Sequence, residues 1–74
     1  MASLRPLPFR EVKRKLEAAG FVEHSQSGSH VKFVRQTGAS VAIAIVPHHR
    51  EVSVGVLRSI LRQAEMSLDE WERL

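Results

Sequence analysis

The fold is decided by residues 29–46, which read SHVKFVRQTGASVAIAIV. Polar and apolar residues alternate over residues 29–35, which predicts a strand with two different faces. One face carries Val31 and Phe33, and the other carries His30 and Lys32. Residues 36–39 have turn chemistry and residues 40–46 predict a second strand, so the whole stretch predicts an antiparallel hairpin.

The second strand of this hairpin has apolar residues on both of its faces. Val41, Ile43 and Ile45 share one face, and Ala42 and Ala44 share the other. We expect the face of the sheet that is turned to the core to carry Val31, Phe33, Ile43 and Ile45. The opposite face, with His30 and Lys32, is expected to stay accessible.

A helix and a short strand precede the hairpin. An apolar stripe at helical spacing predicts a helix over about Pro8 to Ala19, and its members are Phe9, Val12, Leu16 and Ala19. Gly20 follows and can take the left-handed conformation that ends a helix. Residues 21–24 then predict a short strand and residues 25–28 a turn.

Two helices are predicted after the hairpin. Residues 47–51 form a loop, and Ser53 can cap a helix whose apolar stripe is Val56, Leu57, Ile60, Leu61 and Ala64. Ser67 and Glu70 have the spacing of a capping box, with Met66 and Trp71 placed as a hydrophobic staple. A short last helix is therefore expected over about Leu68 to Arg73.

This order predicts an α+β domain with a three-stranded antiparallel sheet and both amphipathic helices on one of its faces. The 74 residues suffice for one core, so residues 1–74 are expected to form a single domain, with residues 1–7 as a loose arm. The chain has no cysteine, which rules out a disulfide framework, a thiolate zinc site and a cysteine nucleophile.

Charge is distributed unevenly along the chain. Residues 1–62 carry ten Lys or Arg against four acidic residues, whereas residues 63–74 carry one Arg against four acidic residues. The basic part suggests a polyanionic partner such as a nucleic acid, although many small soluble domains are equally basic. With no signal peptide and no long apolar segment visible, we expect a cytoplasmic protein without a membrane partner.

Four segments of the chain resemble the HicA-type toxin family of HicA/HicB toxin–antitoxin systems. They are LEAAGF at 16–21, GSHVKF at 28–33, VPHH at 46–49 and GVLRSILRQA at 55–64. The second contains the family's glycine–small–histidine pattern and the third its proline–histidine loop. The resemblance covers about Pro8 to Trp71 and rests on the order and spacing of all four segments, because each alone is weak.

The resemblance implies a fold, an activity and a partner. The family's fold is α-β-β-β-α, like a double-stranded-RNA-binding domain. Its activity is endonucleolytic cleavage of mRNA, restrained by a HicB-type antitoxin protein, and its catalytic histidine falls on His30, beside Gly28 and Ser29. Two differences lie away from this site: the arm with Pro6 and Pro8 is long, and the junction at residues 65–67 lacks a glycine.

Histidine suits RNA cleavage because its unperturbed pKa of about 6.5 lies near working pH. The hypothesis is that His30 acts as general base or general acid without a metal or other cofactor, giving a cyclic phosphate and a 5′-OH. Lys32 shares its strand face and could bind the scissile phosphate. Gly28 would allow close approach of an RNA backbone, and the Ser29 hydroxyl could bond a phosphate.

The other polar candidates have ordinary alternatives. His48 is interpreted as a loop residue that shapes the site or contacts RNA, because a metal site would need a further ligand such as His24. Basic residues of the two helices could contact phosphates or an acidic antitoxin surface, or be plain solvated positions: Arg10, Lys13, Arg14, Arg58 and Arg62. Lys32 could equally protect a strand from aggregation. Without the resemblance, His30 could be an ordinary surface histidine.

Two other functions compete with the ribonuclease. A non-catalytic RNA-binding module of the same fold would bind RNA with or without His30 and would never cut it. A pure interaction protein, whose basic face docks on a protein partner, would have no salt-dependent RNA binding.

Overall fold

The computed structural model describes residues 3–74, which contain three helices and three strands in the predicted order. The elements are α1 (Phe9–Ala18), β1 (Val22–Ser27), β2 (His30–Thr37), β3 (Ser40–Pro47), α2 (Val54–Gln63) and α3 (Leu68–Glu72). The strands form one antiparallel sheet in the order β1-β2-β3. This confirms the predicted α+β class and the α-β-β-β-α arrangement of a double-stranded-RNA-binding-like domain.

Both hairpins turn through two residues that begin with a glycine. Gly28 and Gly38 have φ angles of 59° and 60°, which the favoured hairpin turns require at this position. The first turn pairs Ser27 with His30, and the second pairs Thr37 with Ser40. Because the turn length sets the register, these two glycines also fix which residues face each other across the sheet.

β1 is longer than the sequence suggested. It continues through Ser25, Gln26 and Ser27, which have the composition of a turn, and every residue of the strand is exposed. The pairing with β2 shifts between Glu23 and Ser25, which leaves a bulge at His24. An edge strand without buried residues has no hydrophobic alternation, so its sequence carries little strand signal.

The prediction that Ile43 and Ile45 face the core is wrong. The register of the second hairpin places Phe33 opposite Ala44, and Val31 opposite Val46. The core face of β3 therefore consists of Ala42, Ala44 and Val46, all buried, while Val41, Ile43 and Ile45 remain 53%, 41% and 38% exposed. The small alanine side chains fit beneath α2, which packs on this strand.

The two long helices cover the core face of the sheet. Their buried residues are Val12 and Leu16 in α1 and Leu57, Ile60 and Leu61 in α2. They pack with Phe33 at the centre of the sheet, and the partly buried Phe9, Ala19 and Val56 extend the predicted stripes. Ser53 caps α2 as predicted, with its hydroxyl oxygen accepting the Val56 N–H.

Both long helices end in the same way, with a residue in the left-handed conformation. Gly20 has φ 94°, and the Phe21 N–H donates to the Leu16 carbonyl at 3.0 Å. At the end of α2 the same φ region is occupied by Glu65, with φ 56°, and the Met66 N–H donates to the Leu61 carbonyl at 2.9 Å. The glycine missing from this junction is thus replaced by a glutamate in a conformation that favours glycine.

α3 packs against the rest of the domain through its last turn. Its predicted capping box is present: Ser67 and Glu70 each accept a hydrogen bond from the other's backbone N–H. Trp71 is buried, and its carbonyl accepts a hydrogen bond of 2.9 Å from the Lys15 ammonium, which also lies 5.3 Å from the indole ring centre. Met66, the other predicted staple residue, is buried as well.

The N-terminal arm, predicted to be loose over residues 1–7, is attached to the domain at its end. Leu7 pairs with Val52 through two backbone hydrogen bonds of 3.1 and 2.7 Å, and Leu4 packs against the core. Residues 1 and 2 lie outside the described part of the chain. Apolar side chains at positions 4 and 7 therefore hold this segment of the arm to the domain.

Candidate functional site

His30 is the first residue of β2 and follows directly on the Gly28–Ser29 turn. Its neighbours in the sheet are Ser27 on β1 and Pro47 on β3. Because the next residue, Val31, is buried on the core face, the imidazole projects from the opposite face, where it is exposed. Within residues 3–74 neither ring nitrogen forms a hydrogen bond, so both nitrogens are free to bond a ligand.

The glycine and serine beside His30 have structural roles in the turn. Gly28 adopts φ 59°, and a Cβ added there would meet no atom within 4 Å. The positive φ of the turn therefore accounts for a glycine at this position, and the space where its side chain would lie is open. The Ser29 carbonyl accepts the His48 N–H, which joins the turn to the loop after β3.

Lys32 lies on the same sheet face as His30, two residues further along β2. It is half-buried, and its neighbours across the sheet are Ser25 and Ile45. Among residues 3–74 its ammonium makes no ion pair. The accessible face thus combines an imidazole and an ammonium with the exposed apolar side chains of β3.

His48 occupies the other side of the same sheet end. Its ring stacks on that of Phe9, with 4.0 Å between the centroids and 26° between the planes. Phe9 belongs to α1 and also lies near Phe33 of the core, with 6.4 Å between the two ring centroids. His48 is therefore held in the helical layer, whereas His30 projects from the open face.

A cleft of about 400 Å³ lies beside this stack. It is lined by Pro8, Phe9, Arg10, His48, His49 and Arg50. His49 and Arg50 were not among the predicted site residues, and Arg10 was predicted only as a basic residue of the helix surface. The proline–histidine–histidine–arginine run after β3 was the available signal, but nothing local indicated that the start of α1 lies against this loop.

The basic residues of α1 differ in what they contact. Lys13 forms an ion pair of 2.9 Å with Glu23, and Arg14 pairs with Glu11. The hydrogen bond from Arg14 holds the pKa of Glu11 below its usual range, and the one to Glu23 raises the pKa of Lys13. Arg10 has no acidic partner among the described residues, so of the three it is the one free to meet an anion.

Arg58 and Arg62 share the exposed surface of α2, as their spacing predicted. Neither forms an ion pair within residues 3–74, and no hydrogen bond in that part of the chain joins either side chain to His30, Lys32 or the Gly28–Ser29 turn. The structure therefore gives two separate groups of basic residues: one at the sheet end and one on α2.

The two ends of the sheet carry different sets of charged residues. The end that holds His30 and His48 also holds Arg10, His49 and Arg50. At the other end Arg35 donates to the carbonyls of Ala19 and Ala64, and Glu70 of the acidic α3 lies beside it. Part of the acidic C-terminal segment thus lies at the opposite end of the sheet from His30, together with Arg35 and Arg73.

Two further structural features bear on the type of site. Residues 3–74 contain no group of three or more His, Cys, Asp or Glu side chains close enough to hold a metal ion. His24 in particular is grouped with no such residues. In the same part of the chain no helix is long and apolar enough to span a membrane.

The comparison with known proteins agrees with this architecture. The sequence model of a family described as the HicA toxin of bacterial toxin–antitoxin matches residues 9–66. No curated protein sequence matches the chain significantly. Because the family match covers well over half of the chain, and includes every strand and both long helices, this protein belongs to the HicA toxin family, whose members are toxins of toxin–antitoxin systems and have a cognate antitoxin partner.

Proposed function

We propose that this toxin is an endoribonuclease that cleaves mRNA, with His30 as its catalytic residue and without a metal. The observation that supports this most is the state of His30: an exposed imidazole with no hydrogen-bond partner in residues 3–74, next to an open turn. Family membership supports the class of activity, since HicA toxins are generally ribonucleases. The proposed partners are mRNA and a HicB-type antitoxin protein, and the proposed compartment is the cytoplasm.

The chemistry uses the nucleophile that RNA itself carries. In this mechanism His30 accepts the 2′-OH proton while the 2′ oxygen attacks the adjacent phosphorus and the bond to the 5′ oxygen breaks. The leaving 5′ oxygen takes up a proton from water or from the histidinium. The products are a 2′,3′-cyclic phosphate and a 5′-OH end.

Lys32 is proposed to stabilise the charge that develops on phosphorus. Same-face neighbours on a strand lie about 7 Å apart along the backbone, so a lysine side chain can reach a phosphate held next to His30. The Ser29 hydroxyl and the open space at Gly28 would serve the adjoining backbone. Arg58 and Arg62 on α2 lie further from this turn and would bind more distant phosphates of the RNA. His48 would contact the RNA at the end of the sheet.

The first prediction is that His30→Ala removes both toxicity and cleavage. Wild-type chain, His30→Ala and His24→Ala are expressed from an inducible promoter, and growth and mRNA integrity are followed. His24 is the matched control because it is an exposed strand histidine in the bulge of β1. We expect cleavage to fall at least about 100-fold in His30→Ala and to persist in His24→Ala.

Purified protein and a defined RNA then test the chemistry of the cut. A 5′-OH end on the downstream fragment is expected, and a 5′-phosphate end would contradict this mechanism. If the His30→Ala chain folds, binds RNA as tightly as the wild type and remains equally toxic, the protein acts as a non-catalytic RNA-binding module. A wild-type chain with no salt-dependent RNA binding would point to a pure protein-interaction role.

A further inference from the structure

We propose that the cleft at the start of α1, together with the loop after β3, is a subsite for one nucleotide of single-stranded RNA flanking the cut. This inference rests on the proposed ribonuclease activity and adds to it a place for the neighbouring nucleotide. The subsite comprises Phe9, Arg10, His48, His49 and Arg50.

A stacked pair of rings forms one wall of the cleft. Phe9 covers one face of the His48 imidazole at a centroid distance of 4.0 Å, yet His48 remains exposed. Phe9 packs against the core, so one face of the imidazole is placed on the domain while the residue remains exposed. An unstacked base can add to such a ring, and base–aromatic stacking contributes about 1–3 kcal/mol per base.

The cleft also carries positive charge. Arg10 and Arg50 are exposed, line the same cleft and have no acidic partner among residues 3–74. Glu51 follows Arg50 in the chain but does not line the cleft. A phosphate is the group that these residues suit best.

The cleft lies next to His30. The His48 N–H binds the Ser29 carbonyl, so the cleft begins one residue from the catalytic candidate. His30 projects from the open face and His48 lies in the helical layer, so the two sites flank the same sheet end. A strand cut at His30 can continue around this end into the cleft. Single-stranded RNA suits that path because its bases are free to unstack.

The test measures RNA affinity in a chain that cannot cut. In the His30→Ala background, Arg50→Gln and His48→Ala are compared with Arg73→Gln by titration of a short single-stranded RNA. Arg73→Gln is the matched control, because it removes the same charge at the acidic end of the molecule. Circular dichroism and thermal unfolding establish that each variant is folded.

We expect Arg50→Gln to weaken binding about 10-fold and to reduce the slope of log K against log salt by about 0.7, as for one lost phosphate contact to a single strand. His48→Ala should weaken binding at least about 5-fold, and His48→Phe should restore it, because stacking needs a ring and no charge. The fluorescence of 2-aminopurine placed next to the cleavage position should be quenched by wild-type His48 and not by His48→Ala.

Affinities of Arg50→Gln and His48→Ala equal to that of Arg73→Gln would overturn the subsite. The ribonuclease proposal would survive that result if His30 still controls cleavage. RNA that binds through the cleft but is never cut by the wild-type chain would leave the subsite standing and remove the ribonuclease proposal. If the two variants lose binding to the antitoxin and keep RNA affinity, the cleft is a protein-docking site and the inference is wrong.

Discussion

Glu65 is the one residue other than glycine with a positive φ angle in residues 3–74. It ends α2 with the same backbone hydrogen bonds with which Gly20 ends α1, so the chain contains the same motif with and without glycine. A side chain in this region costs roughly 1–2 kcal/mol, part of which glycine gives back through its larger entropy in the unfolded state. The α2 end is therefore less stable than it could be.

We expect Glu65→Gly to raise the free energy of unfolding by about 1 kcal/mol, or the melting temperature by about 4–8 °C. Gly20→Ala should have the opposite effect, because φ is 94° there, a backbone conformation that side chains rarely adopt. Urea unfolding measures both. Glu65→Asn removes the charge and keeps a side chain that tolerates the left-handed region, so it separates the effect of backbone conformation from that of charge. If Glu65→Ala raised the free energy of unfolding as much as Glu65→Gly, the gain would come from removing the charge and not from the backbone conformation.

At the site, prediction from sequence succeeded for residues whose surroundings are local. The exposure of His30 followed from the alternation over residues 29–35. The turn beside it was predicted over residues 25–28 and lies at residues 28–29, so only its glycine was placed correctly. The cleft could not be predicted, because Phe9 and His48 are separated by 38 intervening residues. Their stacking depends on how α1 crosses the end of the sheet, which no local pattern encodes.

At the scale of elements, β3 illustrates why alternation can predict a strand and leave its orientation open. Both of its faces are apolar, so hydrophobic pattern alone does not choose between isoleucine and alanine for the core. The register of the hairpin and the space beneath α2 make that choice. The order of the elements was predictable because helical stripes, caps and turn glycines each give their own local signal.

The orientation of β3 predicts unequal effects of two neighbouring substitutions. Ile43→Thr, on the open face, should change the free energy of unfolding by less than about 0.5 kcal/mol. Ala44→Ile should cost about 1–3 kcal/mol or more, because Ala44 is fully buried opposite Phe33. Chemical denaturation measures the free energy of unfolding of both variants. A larger loss in Ile43→Thr than in Ala44→Ile would mean that the isoleucines face the core.

The capping box of α3 predicts a dependence of local stability on pH. Hydrogen bonds from the backbone and hydroxyl of Ser67 hold the pKa of Glu70 below its usual range in the folded chain. A carboxyl group with a lowered folded pKa stabilises the fold above its unfolded pKa of about 4.3, and that contribution is lost as pH falls through the folded value. α3 should therefore loosen in acid.

The fluorescence of Trp71, the single tryptophan of the chain, reports this transition, because the residue is buried in α3. We expect the acid transition to have a smaller amplitude in Glu70→Gln, because glutamine cannot ionise and its amide oxygen can still accept the Ser67 N–H at every pH. Glu72→Gln is the control, since Glu72 lies in the same helix outside the capping box. Identical pH profiles for wild type and Glu70→Gln would argue against a role for this carboxylate.

At the scale of the whole molecule, the acidic C-terminal segment does two things. Two of its carboxylates, Glu65 and Glu70, lie beside Arg35 at the end of the sheet away from His30, so they do not offset the positive charge around the cleft. Its apolar residues complete the core, since Trp71 is 1% exposed and Met66 9%. The family match ends at residue 66, so in this chain the helix beyond the match supplies the largest fully buried side chain.

A chain that ends at Met66 should therefore be much less stable than the full chain. Removing a buried tryptophan costs about 3–5 kcal/mol, against a total of about 4–11 kcal/mol for a domain of this size. Loss of the Lys15 hydrogen bond to the Trp71 carbonyl adds to this cost. We expect a large fall in melting temperature and fast amide exchange in α1, where Lys15 lies.

Trp71→Phe in the full chain is the graded comparison, because it keeps α3 and a ring while reducing its volume. It should lower stability less than the truncation does and leave the exchange of α1 amides near that of the wild type. A truncated chain as stable as the full one would mean that α3 only covers a core that residues 3–66 already complete. RNA cleavage by Trp71→Phe below its melting temperature should be unchanged, because His30 lies on the open face of the sheet and Trp71 is buried in the core.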